Sequence, residues 1–151
     1  MTKTIIFDSG PLGMVTNPRA KSEESQACKR WFEHILRTRY RIVIPEIADY
    51  EVRRELIRIQ SITIVEQLDR LNRLVVYLPL TTEMMLRAAE LWAIARQTGQ
   101  GTVHPKSLNG DMVLAAQVLV AYGKDLDAIV ETTNVAHINR FVRADLWQNI
   151  G

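Results

Sequence analysis

The sequence predicts an α/β domain in which a mainly parallel sheet of four to five strands lies between layers of helices. Three observations predict it. Short apolar runs of strand length alternate with longer stretches of helical periodicity along the chain. The first run, Thr4-Ile5-Ile6-Phe7, is apolar on both faces, which suits the middle of a parallel sheet covered on each side by helices. At 151 residues, 47% apolar and 24% charged, the chain has the size and composition of one ordinary domain, here residues 1–151, which can bury a sizeable core without disulfides.

The first strand ends in Asp8-Ser9-Gly10. Ligands of parallel sheets gather beyond the carboxyl ends of the strands, so Asp8 is delivered to the edge where chemistry is done. Asp-Ser-Gly is also good turn composition, and capping or turning the chain is the other use of this acid. Gly10, Pro11, Gly13, Asn17 and Pro18 then predict a loop from Gly10 to Arg19. Between Ser22 and Arg39 the apolar positions Ala27, Trp31, Phe32, Ile35 and Leu36 recur at helical steps, with Ser22 available as the cap.

Arg41-Ile42-Val43-Ile44 reads as the second strand, and Pro45 suits the first turn of a helix reaching about Gln60. The stripe of that helix is Ala48, Val52, Leu56 and Ile59, with Glu51 and Glu55 one turn apart beside it. A further helix over Ile62 to Asn72 precedes a third strand, Leu74 to Leu78. Thr81 or Thr82 caps a helix to about Gln97 with Met85, Ala88, Ala89, Trp92 and Ala95 inward. Thr102 to Gly110 reads as a polar loop containing His104, Pro105 and Lys106, and Asn109 can cap a helix whose first turn holds Asp111. That helix is apolar nearly all round from Met112 to Tyr122, interrupted mainly by Gln117, which predicts deep burial. Asp127 to Val130 is the fourth strand, His137 to Phe141 a short helical turn, and Leu146-Trp147 a candidate edge strand.

Met1-Thr2-Lys3 runs straight into the first strand and no apolar run is long enough to span a bilayer, so a cytoplasmic protein with no membrane partner is expected. The single cysteine, Cys28, lies on a helix as a packing residue. A net charge of +2 neither announces nor excludes nucleic acid. Arg37, Arg39, Arg41, Arg53, Arg54 and Arg58 form either a phosphate-attracting rim or an ordinary solvated face.

Strand ends and the starts of the following helices share one edge of such a sheet, and four polar groups land there: Asp8, Glu51, Asp111 and Asn134. Carboxylates gathered in one cleft repel, and each unpaired desolvated charge costs several kcal/mol, so the cluster implies a compensating cation. Oxygen donors without a Cys or His pattern favour Mg²⁺ or Mn²⁺ over zinc, and such ions serve phosphodiester chemistry. The bland uses of the same residues are also open. Asp111 can be a first-turn acid favoured by the helix dipole, and Glu51 and Glu55 can pair with arginines on a solvated face. His34, His104 and His137 lack zinc spacing, so structural or surface roles are the default for each, with contact to a phosphate the lesser alternative for His104 and Lys106 before Asp111.

The constellation resembles the PIN-domain nucleases, particularly the VapC-like toxins of bacterial toxin–antitoxin pairs. The matching residues are Ile5-Ile6-Phe7-Asp8-Ser9, Ile44-Pro45-Glu46-Ile47-Ala48-Asp49-Tyr50-Glu51-Val52, Asn109-Gly110-Asp111-Met112-Val113-Leu114-Ala115-Ala116, and Thr132-Thr133-Asn134-Val135 followed by Phe141. The blocks span essentially the whole chain. The resemblance implies a PIN-like three-layer α/β/α sandwich and a metal-dependent ribonuclease that commonly forms a homodimer and is neutralised by a small antitoxin protein. It implies Asp8, Asp111 and Glu51 as catalytic ligands of Mg²⁺ or Mn²⁺, directly or through water, with Ser9 supporting the first acid. Asn134 departs from the acid found at the fourth position in many members, and an amide there adds no charge and should bind the ion more weakly.

Two other readings follow from the same residues. Phe7-Asp8-Ser9-Gly10 is similar to the opening of haloacid-dehalogenase-type phosphatases, but the second Asp of those enzymes is here Gly10. Neither phosphate-binding glycine loop of nucleotide-binding proteins is present. The non-enzymatic rival is a degenerate PIN fold that binds RNA or protein, made plausible by Asn134.

Overall fold

The structure is a computed structural model that describes residues 3–17, 21–98 and 105–151, with only the backbone of 105–108. The elements run β1 (Thr4–Phe7), α1 (Ser9–Thr16), α2 (Glu23–Leu36), β2 (Arg41–Pro45), α3 (Glu46–Arg58), α4 (Ile62–Leu74) and β3 (Val76–Leu78). There follow α5 (Thr82–Gln97), α6 (Pro105–Tyr122), β4 (Ala128–Glu131), α7 (Val135–Ile138), β5 (Ala144–Asp145) and a 3₁₀ turn at Trp147–Asn149.

All five strands are parallel, in the order β3-β2-β1-β4-β5. β1 is central, and all four of its residues are buried. Its alternation sorts the core into two layers. Ile5 and Phe7 join Ile42, Ile44 and Ile129 in a cluster with Leu12, Phe32, Ile35, Val52 and Leu68 from α1 to α4. Ile6 joins Val43 and Val130 in a second cluster with Leu91, Met112, Leu114, Ala115 and Ile138 from α5 to α7. The chain therefore builds outward from β1 to β3 on one side and returns to β4 on the other. That reversal makes a topological switch point between β1 and β4, where the loops diverge and leave a crevice.

The sheet and its helical layers agree with the reading of the sequence, and the differences are local. Gly10 to Arg19 reads as a loop, yet Ser9–Thr16 is helical. Asp8 caps the helix, and Pro11 sits in the first turn, where no intrahelical N–H is needed. Burial of Pro11 and Leu12 then outweighs the weak propensity of Gly10 and Gly13. Pro45 is the last residue of β2 and the N-cap of α3 rather than a helical residue.

Ile59, expected in the stripe of α3, is 53% exposed at its C-cap. On α5 the buried line is Met84, Ala88, Leu91 and Ala95, so Ala88 and Ala95 face inward as expected, whereas Met85, Ala89 and Trp92 are exposed. Both lines have helical spacing, and Thr81 caps the helix through its hydroxyl. Leu74 belongs to α4 rather than to the third strand. α6 starts at Pro105, a first-position proline, so Asn109 and Asp111 lie in its second turn and not at a cap. The edge strand is Ala144–Asp145, because the Asp145 carboxylate takes the Leu146 N–H and turns the chain out of the sheet. Among the described residues no helix is long and apolar enough to cross a membrane.

Candidate active site

Asp8 stands at the tip of β1, and both its carboxylate oxygens are held. Oδ1 accepts from the Ser9 N–H at 2.7 Å, and Oδ2 accepts from the Thr132 hydroxyl at 2.7 Å. Thr132 in turn accepts from the Asn134 N–H at 2.9 Å, so one hydroxyl links the first acid to the loop after β4. The Asp8 N–H donates to the Glu131 carbonyl at 3.1 Å across the switch point. Capping and presentation at the ligand edge, which compete as readings of the sequence, are thus combined in one residue.

Glu51 and Asp111 arrive on two helices that approach closely. A Cβ on Gly110 would lie 3.0 Å from Glu51 Oε2 and 3.2 Å from Oε1, so the absent side chain is what lets the carboxylate lie against α6 beside Asp111. Gln117, fully buried further along α6, accepts from the Ile47 N–H at 3.2 Å and donates to the Leu78 carbonyl at 2.9 Å. It satisfies a first-turn N–H of α3, whose own N-cap Pro45 has no side-chain bond to offer. α6 thereby fixes the start of the helix that carries Glu51. Asn134 donates from Nδ2 to Asp111 Oδ2 at 3.3 Å, which brings the fourth predicted position to the third.

The charges feel one another. Burial, then Asp8, then Glu51 push the Asp111 carboxyl from 3.8 up to about 7. Burial and Asp8 raise Glu51, against which Arg54 acts in the opposite direction. Arg54 reaches Glu51 at 3.8 Å and is more than half exposed. Asp8, Glu51, Asp111 and Asn134 are therefore brought to one edge of the sheet.

Ser9 contributes its backbone N–H to Asp8, whereas the hydroxyl that holds Asp8 is that of Thr132. Glu55 pairs with Arg58 on the surface, and Glu46 accepts from the Leu80 N–H at 2.7 Å, so neither joins the cluster. His104 and the Lys106 side chain lie outside the described residues.

Sequence reasoning passes over Glu131. β4 runs one residue further than Val130, and Glu131 pairs with Phe7 in register, on the same face of the strand as Ile129. It is completely buried, neither carboxylate oxygen has a hydrogen-bond partner, and burial and Asp8 raise its pKa well above the ordinary value. The available signal was the acid directly after Ile129-Val130, at the tip of the strand beside β1.

The donor set fits a hard divalent ion. It consists of carboxylate and amide oxygens, its charges are mutually repulsive, and a cation would relieve the raised acids. Among the described residues no three His, Cys, Asp or Glu side chains close on one point.

A five-stranded parallel sheet in the order 3-2-1-4-5, flanked by helices, with acids at its switch point, is a PIN-like α/β fold. The resemblance read from the sequence is matched in three dimensions by chains of VapBC complexes. A chain of VapBC2 from Rickettsia felis, bound to a DNA fragment from its promoter, superposes with a TM-score of 0.69 at 14% identity, covering 95% of this chain and 98% of that one. VapBC-1 from nontypeable Haemophilus influenzae gives 0.67 at 16% identity, covering 97% and 99%. DNA-bound VapBC from Salmonella typhimurium gives 0.52 at 16% identity, also covering 97% and 99%. At such identity the likeness is one of fold. No family model and no curated protein matches the sequence.

Proposed function

We propose that this chain is a single PIN domain acting as a metal-dependent endoribonuclease, which hydrolyses RNA phosphodiester bonds with a water activated by Mg²⁺ or Mn²⁺. The observation that supports this most is that Asp8, Glu51 and Asp111 reach one edge of the sheet within electrostatic range of one another, where Asp8 raises both Glu51 and Asp111. Asp8 and Asp111 would hold the ion directly, Glu51 through water, and Asn134 weakly. The bound ion supplies a lowered pKa for the attacking water, polarisation of the phosphate and neutralisation of the leaving oxygen.

The chain's own residues do the positioning. Ser9 and Thr132 fix the two oxygens of Asp8 before substrate arrives, Asn134 orients Asp111, and Gln117 anchors the helix that presents Glu51. Preset donors of this kind need no rearrangement at the moment of reaction.

The finer part of the proposal is a cytoplasmic toxin that forms a homodimer and is neutralised by a small antitoxin, and the likeness to chains of VapBC assemblies supports its toxin–antitoxin part. The second reading, a catalytically weak RNA- or protein-binding module, is favoured by Asn134 and by the separation of the carboxylates. One experiment divides the two. Purified protein should cleave RNA with Mg²⁺ or Mn²⁺ and stop when EDTA is added or Asp8→Asn is introduced. Undiminished cleavage by Asp8→Asn identifies a contaminating nuclease, and absence of Mn²⁺ binding in calorimetry favours the module.

A further inference from the structure

Tyr50 borders two clefts. One, of about 370 Å³, is lined by Ile47, Glu51, Arg54, Asn109 and Val113 beside it, and so opens onto the acid cluster. The other, of about 610 Å³, holds Glu46, Asp49 and Asp69 against Arg53 and Arg73. Arg53 is already committed to Asp49 and Asp69, which leaves the larger cleft unattractive to a phosphate chain. The smaller one differs. Ile47 and Val113 give it apolar walls, and Arg54 gives it a cation at the rim.

The tyrosine ring is 53% exposed immediately before Glu51 in the sequence, with the Arg54 guanidinium 5.1 Å from its centroid. Arg54 is therefore held between an aromatic face and a carboxylate. An exposed ion pair of that length is weak, and its guanidinium exchanges readily for a better-matched anion. Aromatic rings beside cations are how proteins grip nucleic acid strands whose bases are unpaired.

Building on the nuclease reading, we propose that Tyr50 is a stacking platform for one unpaired base of the substrate. Arg54 receives the phosphate next to that base, so the RNA enters as a single strand. A base within a duplex is already stacked on both faces and has none to offer a ring set in a cleft. The platform holds the nucleotide adjacent to Glu51, while the acids are left to the scissile phosphate.

The test uses a fluorescein-labelled oligoadenylate, the same oligomer with abasic sites, and its duplex with oligouridylate. Binding is read by anisotropy with Ca²⁺ in place of Mg²⁺. Tyr50→Leu should weaken single-strand binding roughly 5- to 30-fold, and Tyr50→Phe should leave it unchanged. The abasic oligomer should bind wild type as weakly as Tyr50→Leu binds the intact one, and should not sense the substitution. Arg54→Gln should reduce the salt slope by about 1. Tyr50→Leu binding the oligomer like wild type would overturn the platform and assign the exposed ring to a protein partner. Equal sensitivity of the abasic oligomer, or a duplex that binds as well as the single strand, would overturn it too. Cleavage assayed in parallel separates this proposal from the reading beneath it. A raised KM with unchanged kcat in Tyr50→Leu supports the platform. Tyr50-dependent binding without any cleavage by wild type leaves the platform standing and removes the nuclease.

Discussion

Asp49 and Glu51 stand two residues apart on α3, and the chain treats them in opposite ways. Asp49 has a side chain only 7% exposed, and its charge is closed by three hydrogen bonds from two residues. Arg53 forks onto it at 2.9 and 3.0 Å, and Asn72 donates at 2.8 Å. Arg53 also takes Asp69 at 2.7 Å, so α3 and α4 are pinned together by a planar donor matched to carboxylates. Glu51 has one distant, exposed arginine, and what acts on its neighbour Asp111 is burial and two more acids. A sequence that can neutralise a buried acid within its own helix leaves Glu51 without such a partner, a difference that the proposed cation site would account for.

The largest effect that tests this contrast comes from neutralising one acid of each kind. Asp111→Asn should lose RNA cleavage by about 100-fold or more, as removal of a central charge in a preorganised site does. It should also raise the melting temperature of metal-free protein at alkaline pH by a few degrees, because it removes repulsion. Asp49→Asn should do the reverse: it strips Arg53 of its bidentate partner and costs about 1–3 kcal/mol. Melting curves of both variants in EDTA decide it, since a shift of the same sign in both would erase the distinction between the two acids.

A smaller effect follows from protonation. The folded-state pKa of Asp111 is raised from 3.8 to about 7, so between those values the native protein binds more protons than the unfolded chain. Metal-free stability should therefore fall as pH rises through that window, with the raised Glu51 and Glu131 acting in the same direction. Mn²⁺ binds the ionised form, so its stabilising effect should grow over the same window. Asp111→Asn should reduce the slope of the metal-free curve and leave the part that the raised Glu51 and Glu131 contribute in the same direction. Thermal melts from pH 4 to 8, with and without Mn²⁺, measure both, and a metal-free stability that rises with pH would contradict the cause assigned to Asp111.

The same contrast explains what the sequence disclosed. Apolar runs and helical stripes specify the layers, because burial is written in residue type and period. Asp8, Glu51, Asp111 and Asn134 were legible because parallel topology sends strand ends and helix starts to a common edge. Phase and contact were not. The inward line of α5 is not legible at Met84 and Met85, because both are equally apolar and both have helical spacing to Ala88. α1 was hidden behind Gly10, Pro11 and Gly13, whose poor propensity is overridden by a cap from Asp8 that exists only once β1 is in place. Thr132 and Glu131 were passed over for a related reason: a hydroxyl reaching Asp8 across 124 residues, and a buried acid beside Phe7, are facts of strand register and not of local sequence.

Gly110 gives the smallest effect and divides structure from function most cleanly. Within a helix, glycine costs about 0.5–1 kcal/mol relative to alanine, so a helix that keeps it at this point forgoes stability. The space a methyl would need is held by the Glu51 carboxylate, 3.0 Å from the ideal Cβ position. That carboxylate is the end of a flexible side chain, a quarter exposed, and can turn outward without moving α3. Gly110→Ala should therefore leave the melting temperature of metal-free protein unchanged or raise it by a few degrees. Mn²⁺ affinity should fall about 10-fold as Glu51 is displaced from Asp111, the low end of the range for a group that orients a metal ligand. Asp49 and Arg53 lie away from this contact, so their ion pair should persist. Calorimetric titration of Mn²⁺ beside a thermal melt reads both halves. Unchanged affinity in a stably folded Gly110→Ala would mean that Glu51 does not serve the ion, and the open acid of α3 would then be no different in purpose from the closed one.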